Sequence, residues 1–182
     1  MKKALLVVDY TVDFVADNGA LTCGKPGQMI EKAIVQLTEE FIVNNELVVF
    51  PVDLHDENDL YHPETKLFPA HNIRNSPGRE LYGKLKSVYA DNEEKIIWID
   101  KTRYSSFAGT NLHQLLRERD IKEVHIVGVC TDICVLHTAV DAYNLGYTIV
   151  IHENAVASFN ERGHDWALGH FSSSLGALVI KK

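Results

Sequence analysis

The sequence lacks the features that mark secreted, membrane and nucleic-acid-binding proteins. Its first apolar run, residues 4–8, ends at Asp9, too early for a signal-peptide core, and no run approaches the length of a membrane span. It has only three cysteines, an odd number that does not suit a disulfide framework and favours a reducing, cytoplasmic compartment. The net charge is −7 and no basic run occurs, so we expect no binding to nucleic acid or to a membrane.

Short apolar runs predict a sheet that is covered on both faces. The length of 182 residues predicts one domain, residues 1–182, with a full hydrophobic core. The runs are continuous rather than alternating, which is typical of buried strands in a parallel sheet. We expect strands over Ala4–Val8, Leu47–Val52, Ile96–Ile99, Val124–Val129, Thr148–Ile151 and Ala177–Ile180.

Helical periodicity lies between these runs. It predicts helices over Gln28–Asn44, from Leu112 to Arg119 with Thr110 or Asn111 as the cap, over Cys134–Leu145, and over part of Glu161–Phe171. Strands that alternate with helices form right-handed βαβ units. The fold class is therefore α/β, a three-layer sandwich with a mostly parallel central sheet and helices on both faces.

The longest stretch without periodicity, residues 53–77, is rich in side chains that bind metals. Asp53 and His55 are two residues apart, so both can emerge on one face of an extended chain. Glu64 and His71 follow, and His62 is an alternative to Glu64. Two imidazoles with two carboxylates suit a divalent transition metal such as zinc, iron or manganese. Solvated side chains of a polar loop are the other interpretation.

The residues that follow the predicted strands also point to chemistry. Ligands of open α/β sheets bind beyond the carboxyl ends of the strands, where this chain places Asp9, Asp53, Lys101 and Cys134. A thiol at a helix start has its pKa lowered by the helix dipole and by unpaired N–H groups. Each residue alone has a structural explanation, as a turn residue, a surface lysine or a buried thiol. Their convergence on one edge predicts an enzyme.

Several further residues lie near these positions in the sequence. Asp13 competes with Asp9 for the role of the catalytic acid. The aromatic residues Phe14, Phe68 and Tyr104, with Phe107 nearby, could sandwich a flat ring. We interpret the remaining histidines as structural or surface residues: His113, His125, His137, His152, His164 and His170.

Four stretches together resemble a known family over nearly the whole chain. They are Ala4–Phe14, Val52–His55 followed by His71, Ile97–Lys101, and Val127–Cys134. The sequence is similar to the isochorismatase-like cysteine hydrolases and, within them, to the nicotinamidases (pyrazinamidases). One departure is Ile133, which replaces a polar residue found in some relatives.

The resemblance implies an activity and the residues that perform it. It implies hydrolysis of nicotinamide to nicotinate and ammonia through a thioester. Cys134 would be the nucleophile, Asp9 the general acid/base and Lys101 the third catalytic residue. A cis peptide bond between Val129 and Cys130 would turn the backbone N–H of Cys130 into an oxyanion hole beside that of Cys134.

The same resemblance implies a cofactor and a substrate site. One divalent metal, zinc before iron or manganese, would be held by Asp53, His55, Glu64 and His71. Phe14, Phe68 and Tyr104 would pack on the substrate ring. The expected partner is the small molecule nicotinamide, and a homo-oligomer is left open.

Two other functions are left open by the sequence. The first is another amidohydrolase of this superfamily that acts on a carbamoyl or ureido substrate. The second is a non-catalytic metal-binding protein on the same fold. The presence of Asp9, Lys101 and Cys134 together favours an enzyme over the second alternative.

Overall fold

The computed structural model describes residues 2–181 and contains one six-stranded sheet. The strands are Lys3–Val8 (β1), Leu47–Asp53 (β2), Ile96–Lys101 (β3), Glu123–Val129 (β4), Thr148–Ala157 (β5) and Leu178–Ile180 (β6). Their order is β3-β2-β1-β4-β5-β6, and each neighbouring pair is parallel. The order of the chain therefore reverses between β1 and β4, at the centre of the sheet.

Helices connect the strands. They are Val12–Val15 (α1), Lys25–Met29 (α2), Glu31–Val43 (α3), Lys84–Asp91 (α4), Leu112–Glu118 (α5), Leu136–Asn144 (α6) and Glu161–Ser173 (α7). Single turns of 3₁₀ helix occur at Pro63–Lys66, Pro77–Arg79 and Glu93–Lys95, and a π-helical turn spans Thr131–Val135. Within residues 2–181, no helix combines the length and the apolar character that crossing a membrane needs.

The sheet separates two hydrophobic cores. Successive side chains of a strand point to opposite faces, so Leu5 and Val7 of β1 enter one core and Leu6 and Val8 enter the other. Helices α3 and α4 cover the first core, and α5, α6 and α7 cover the second. Burial on both faces explains why the strands are apolar without alternation. The three-layer α/β fold class is confirmed.

The predicted strands are all present, but the length of β5 differs. The strand continues from Ile151 to Ala157. Its pairing with β4 shifts register there, since Ile126 lies opposite Ile151 whereas Gly128 lies opposite Val156. Polar residues 152–154 occupy the irregular segment and interrupt the apolar pattern, which is why the sequence alone predicts too short a strand.

The predicted helices differ from the structure at four places. The pattern over Gln28–Asn44 is divided at Ile30 between α2 and α3. The helix predicted from Cys134 begins earlier, with the π-helical turn at Thr131, so Cys134 lies inside the first turn. The pattern predicts neither α1, which has only four residues, nor α4, which is short, mostly polar and buries only Leu85 and Val88.

Candidate active site

The centre of the sheet brings β1 and β4 together where the strand order reverses, the usual ligand-binding position of such sheets. Asp9 follows β1 and Cys130 follows β4. Gly128 has a φ of 112°, and a Cβ atom there would lie 2.0 Å from the carbonyl oxygen of Val8. Any side chain at position 128 would push the strands apart, so glycine allows this edge to form.

Lys101 lies fully buried at the end of β3 and holds two carboxylates together. Its Nζ atom is 2.8 Å from Oδ2 of Asp9 and 2.5 Å from Oδ1 of Asp53. The Oδ1 atom of Asp9 accepts the backbone N–H of Asp53 at 2.8 Å. One cation therefore connects the ends of three strands, and none of these three side chains has appreciable contact with solvent.

The two carboxylates differ in how readily they take a proton. Burial, aided by the charge of Asp53, raises the pKa of Asp9 to about 6, although Lys101 opposes the shift. Burial would also raise the pKa of Asp53, but Lys101 and His55 outweigh it and lower the value to about 2. Burial disfavours the charge on Lys101, yet the two carboxylates raise its pKa well above the usual value. Asp9 is thus the member of the pair that can exchange a proton near neutral pH.

Cys134 joins this cluster from the π-helical turn after β4. Its Sγ atom is 3.7 Å from Nζ of Lys101 and within 4.8 Å of carboxylate oxygens of Asp9 and Asp53. Burial raises the pKa of the Cys134 thiol well above its ordinary value, even though Lys101 opposes the shift. The expectation of a lowered thiol pKa is therefore wrong for this structure, because complete burial outweighs the helix start. The thiol carries its proton beside a carboxylate that can accept it.

The backbone before Cys134 has the geometry that the resemblance implies. The peptide bond between Val129 and Cys130 is cis. The carbonyl oxygen of Cys130 accepts the N–H groups of Ile133 and Val135, each at 3.1 Å, which closes the turn. The backbone N–H groups of Cys130 and Cys134 belong to this compact turn beside the thiol, where oxyanion donors are expected.

Four buried side chains form a second cluster next to the first. Asp53, His55, Glu64 and His71 each offer a ligand atom, and these atoms lie within 4.8 Å of one another. The Oδ2 atom of Asp53 and the Nε2 atoms of His55 and His71 are buried and have no hydrogen-bond partner. Asp53 belongs to both clusters, because its other oxygen contacts Lys101. These four residues are the ligands that the resemblance implies. Buried ligand atoms without a hydrogen-bond partner suit a divalent metal.

Hydrogen bonds distinguish His71 from His62. The Nδ1 atom of His71 is 2.8 Å from the carbonyl oxygen of Pro69, which leaves Nε2 free to act as a ligand. In His62, by contrast, Nδ1 accepts the N–H of Glu64 at 3.2 Å and Nε2 is 2.7 Å from the carbonyl oxygen of Thr102. Both nitrogens of His62 are therefore engaged, and the geometry favours Glu64 over His62 as the fourth ligand.

A narrow cleft joins the two clusters, since Cys134 of the first and Asp53 and Glu64 of the second line it. The three expected ring-packing residues, Phe14, Phe68 and Tyr104, all line it. Phe107 does not, since it is stacked on Tyr147 in the core at a centroid distance of 5.8 Å. Ile133, the departure noted in the sequence, also lines the cleft, and the sequence analysis misses two further lining residues from distant loops: Leu21 and Phe159.

Asp13, the competitor of Asp9, has a structural position. Its Oδ2 atom accepts the N–H of Asn72 at 2.7 Å and its Oδ1 atom accepts that of Ala20 at 3.2 Å. It therefore holds the residue next to His71 rather than facing the thiol. Arg79, which the sequence analysis also misses, donates from Nε to the carbonyl oxygen of Asp53 at 2.7 Å and pairs with the Asp100 carboxylate. It ties the ends of β2 and β3 together.

The cluster of Asp53, His55, Glu64 and His71 is called the metal-type cluster below, and the remaining histidines lie outside it. His125 and His152 are buried and 2.8 Å apart, whereas His137 is exposed. Two of them contact the active-site turn: Nδ1 of His164 is 2.8 Å from Oγ1 of Thr131, and Nδ1 of His137 is 2.7 Å from the carbonyl oxygen of Ile133. These positions agree with structural or surface roles, and that of His164 connects α7 to the turn that carries Cys134.

The chain is similar in sequence to a known protein family. A family model described as the isochorismatase domain matches residues 3–181. An uncharacterized isochorismatase family protein of Bacillus subtilis (strain 168) is 62% identical over 183 residues, which covers 100% of both chains.

Two solved structures have the same fold over the whole chain. The crystal structure of a nicotinamidase/pyrazinamidase from Bacillus subtilis is 60% identical, covers 100% of both chains and has a TM-score of 0.98. The crystal structure of a pyrazinamidase of Pyrococcus horikoshii in complex with zinc is 30% identical, also covers 100% of both chains, and has a TM-score of 0.87. The similarity thus extends to every element that positions the two clusters.

Proposed function

The chain belongs to the isochorismatase domain family, and from this premise we propose that it is a nicotinamidase, which hydrolyses nicotinamide to nicotinate and ammonia. The observation that carries the proposal is the position of Asp53, which contacts Lys101 through Oδ1 and directs Oδ2 toward the metal-type cluster. The Cys134 thiol and a metal held by the metal-type cluster would then act on the same substrate molecule in one cleft. The similarity to solved nicotinamidase and pyrazinamidase structures supports this substrate.

The first step of the proposed reaction forms a thioester. The Asp9 carboxylate accepts the proton of the Cys134 thiol, and the sulfur attacks the carboxamide carbon. The backbone N–H groups of Cys130 and Cys134 donate to the oxyanion that develops on the carbonyl oxygen. Asp9 then returns the proton to the departing nitrogen, the C–N bond breaks, and ammonia leaves an acyl group on Cys134.

The second step releases the acid. Asp9 accepts a proton from a water molecule, whose oxygen attacks the thioester carbon. The C–S bond breaks, the sulfur regains a proton, and nicotinate leaves. Lys101 keeps its charge throughout, because both neighbouring carboxylates raise its pKa. Its role is to hold Asp9 in place and to lower the cost of negative charge on the sulfur.

The residues present fit a divalent metal. Burial of a polar atom without a hydrogen-bond partner costs free energy, and three such atoms converge from Asp53, His55 and His71. The carboxylate of Glu64 lies beside them, 3.5 Å from Nε2 of His71. Zinc is the metal that we propose, and iron or manganese are the alternatives that metal analysis would distinguish. When bound, the metal would coordinate the pyridine nitrogen and so orient the carboxamide toward Cys134. Phe14, Phe68 and Tyr104 would pack on the ring.

The compartment and the domain organisation are part of the proposal. All three cysteines are free thiols, which suits a reducing environment, and we therefore assign the protein to the cytoplasm. We also assign one catalytic unit to residues 1–182.

Ammonia release from nicotinamide by zinc-loaded protein tests the proposal. Benzamide is the matched control substrate, because it keeps the ring and the carboxamide but lacks the pyridine nitrogen. We expect nicotinamide hydrolysis that a chelator abolishes and zinc restores, and a much lower kcat/KM for benzamide. No ammonia release from nicotinamide would overturn the proposal. Chelator-resistant hydrolysis of a ureido substrate instead would favour the other amidohydrolase.

A further inference from the structure

Asp132, two residues before Cys134, is bound to the segment that enters α7. Its Oδ1 atom accepts a hydrogen bond from Oγ of Ser158 at 2.6 Å, and its Oδ2 atom accepts one from Nδ2 of Asn160 at 3.3 Å. Both donors lie beyond the end of β5, far from Asp132 in the sequence. The half-buried carboxylate is thus engaged in fastening the turn of Cys134 to another part of the fold.

Gly163 in the first turn of α7 provides the space for this carboxylate. A Cβ atom at position 163 would lie 1.9 Å from Oδ2 of Asp132. The N–H of Gly163 donates to Oδ1 of Asn160 at 3.1 Å, so the same asparagine caps α7 and contacts Asp132. Glycine weakens a helix relative to alanine, and here the close approach of Asp132 explains its presence.

Two further contacts link α7 and its entry to the active site. Thr131, fully buried at the start of the turn, is 2.8 Å from the ring of His164 in α7. Phe159, which stands between Ser158 and Asn160, lines the cleft together with Cys134. The hydrogen bonds of Asp132 therefore fix both the turn that bears the thiol and one wall of the cleft.

We infer that Asp132 is a positioning residue, whose carboxylate, seated against Gly163, fixes the Cys134 turn and the Phe159 wall in the reactive arrangement. The inference rests on the proposed function for its kinetic consequences. Asp132 does not touch the reacting atoms, and its oxygens are occupied by Ser158 and Asn160. Small displacements of a nucleophile are costly, because reaction requires the attacking atom and the carbonyl carbon to be aligned.

Gly163→Ala and Gly169→Ala form a matched pair of variants. Both glycines lie in α7, but a Cβ atom at position 169 meets nothing within 4 Å. We expect Gly163→Ala to lower kcat by on the order of 10- to 100-fold with a smaller change in KM. Gly169→Ala should keep the wild-type kcat and an equal or higher melting temperature. Equal kcat values for wild type and both variants, at a temperature where all are folded, would overturn the inference.

Substitution of Asp132 itself tests whether the two residues act together. Asp132→Ala should lower kcat as Gly163→Ala does, whereas Asp132→Asn should recover much of the activity because its amide oxygen can still accept from Ser158. The double variant Asp132→Ala/Gly163→Ala should lose no more than Asp132→Ala alone, since the clashing carboxylate is gone. Losses that multiply would mean that the two positions act independently, against the inference.

Hydrogen exchange separates a failure of this inference from a failure of the proposed function, because it needs no substrate. We expect faster amide exchange in the peptide that contains residues 131–135 for Asp132→Ala and Gly163→Ala, but not for Gly169→Ala. Unchanged exchange in that peptide, or a uniform increase over the whole chain, would contradict a positioning role. Inactivity of the wild type toward nicotinamide would overturn the proposed function and leave this comparison valid.

Discussion

The Nζ atom of Lys101 lies 2.8 Å from Oδ2 of Asp9, and both side chains are fully buried. This contact keeps Asp9 in place between the thiol of Cys134 and the carboxylate of Asp53. Because Lys101 is shared by two carboxylates, Asp9 can gain and lose a proton without leaving an unpaired charge in the site. The pair therefore explains how a buried thiol can be activated.

Removal of the Lys101 charge should damage both stability and catalysis. In Lys101→Met, Asp9 and Asp53 would face each other without a cation, and we expect a loss of about 3–5 kcal/mol in the free energy of unfolding. Urea denaturation measures this loss. Adding Asp9→Asn should restore part of the stability by removing one charge, but no activity. If Lys101→Met is as stable as the wild type, the cation is not needed to hold the carboxylates.

The activity should depend on pH through Asp9. Asp9 must be ionised to accept the thiol proton, and its pKa is raised to about 6, mainly by burial. Since protonation removes the base, kcat/KM for nicotinamide should fall as the pH decreases through about 6 and level off above that value. Steady-state rates on zinc-loaded enzyme measure the profile. A flat profile from about pH 5 to 7 would exclude Asp9 as the base.

The metal content should distinguish His71 from His62. His71→Ala removes one of the buried ligand atoms that have no hydrogen-bond partner, so the purified protein should lose its metal. His62→Gln should retain about one metal per chain, because both nitrogens of His62 are already hydrogen-bonded. Elemental analysis after dialysis gives both values. Equal metal loss in the two variants would mean that the ligand set is different.

The side chain of Cys130 should matter less than that of Cys134. The proposed role of Cys130 belongs to its backbone N–H, and its Sγ atom instead lies 3.3 Å from Sγ of Cys23 in the core. We expect Cys130→Ala to lose about 1 kcal/mol of stability and less than about tenfold in kcat. Thermal unfolding and ammonia release measure the two effects. A loss of activity as complete as that expected for Cys134→Ala would assign chemistry to the Cys130 thiol.

The strand ends could be predicted from the sequence because apolar runs define a parallel sheet and its carboxyl edge. Asp9, Asp53 and Lys101 follow such runs directly, so their convergence needs no knowledge of the loops. The metal-type cluster could be predicted in part in the same way, since Asp53 and His55 share one strand end. Selecting Glu64 over His62 needed the hydrogen bonds of His62, which depend on the folded loop.

Other features of the site could not be predicted from short sequence patterns. The contacts of Asp132 with Ser158 and Asn160, and the space at Gly163, join segments about 30 residues apart, which no short pattern reports. The raised pKa of Cys134 also depends on tertiary structure, because burial is set by the packing of several elements around the thiol. A helix start alone indicates the opposite direction.

The central claim is that the Cys134 thiol forms the bond to the substrate. Ammonia release from nicotinamide by Cys134→Ala tests this claim most directly, with Cys23→Ala as the matched control of another buried cysteine. We predict that Cys134→Ala loses at least about 1,000-fold in kcat, whereas Cys23→Ala stays within about tenfold of the wild type. Turnover by Cys134→Ala at a rate close to that of the wild type would contradict the account.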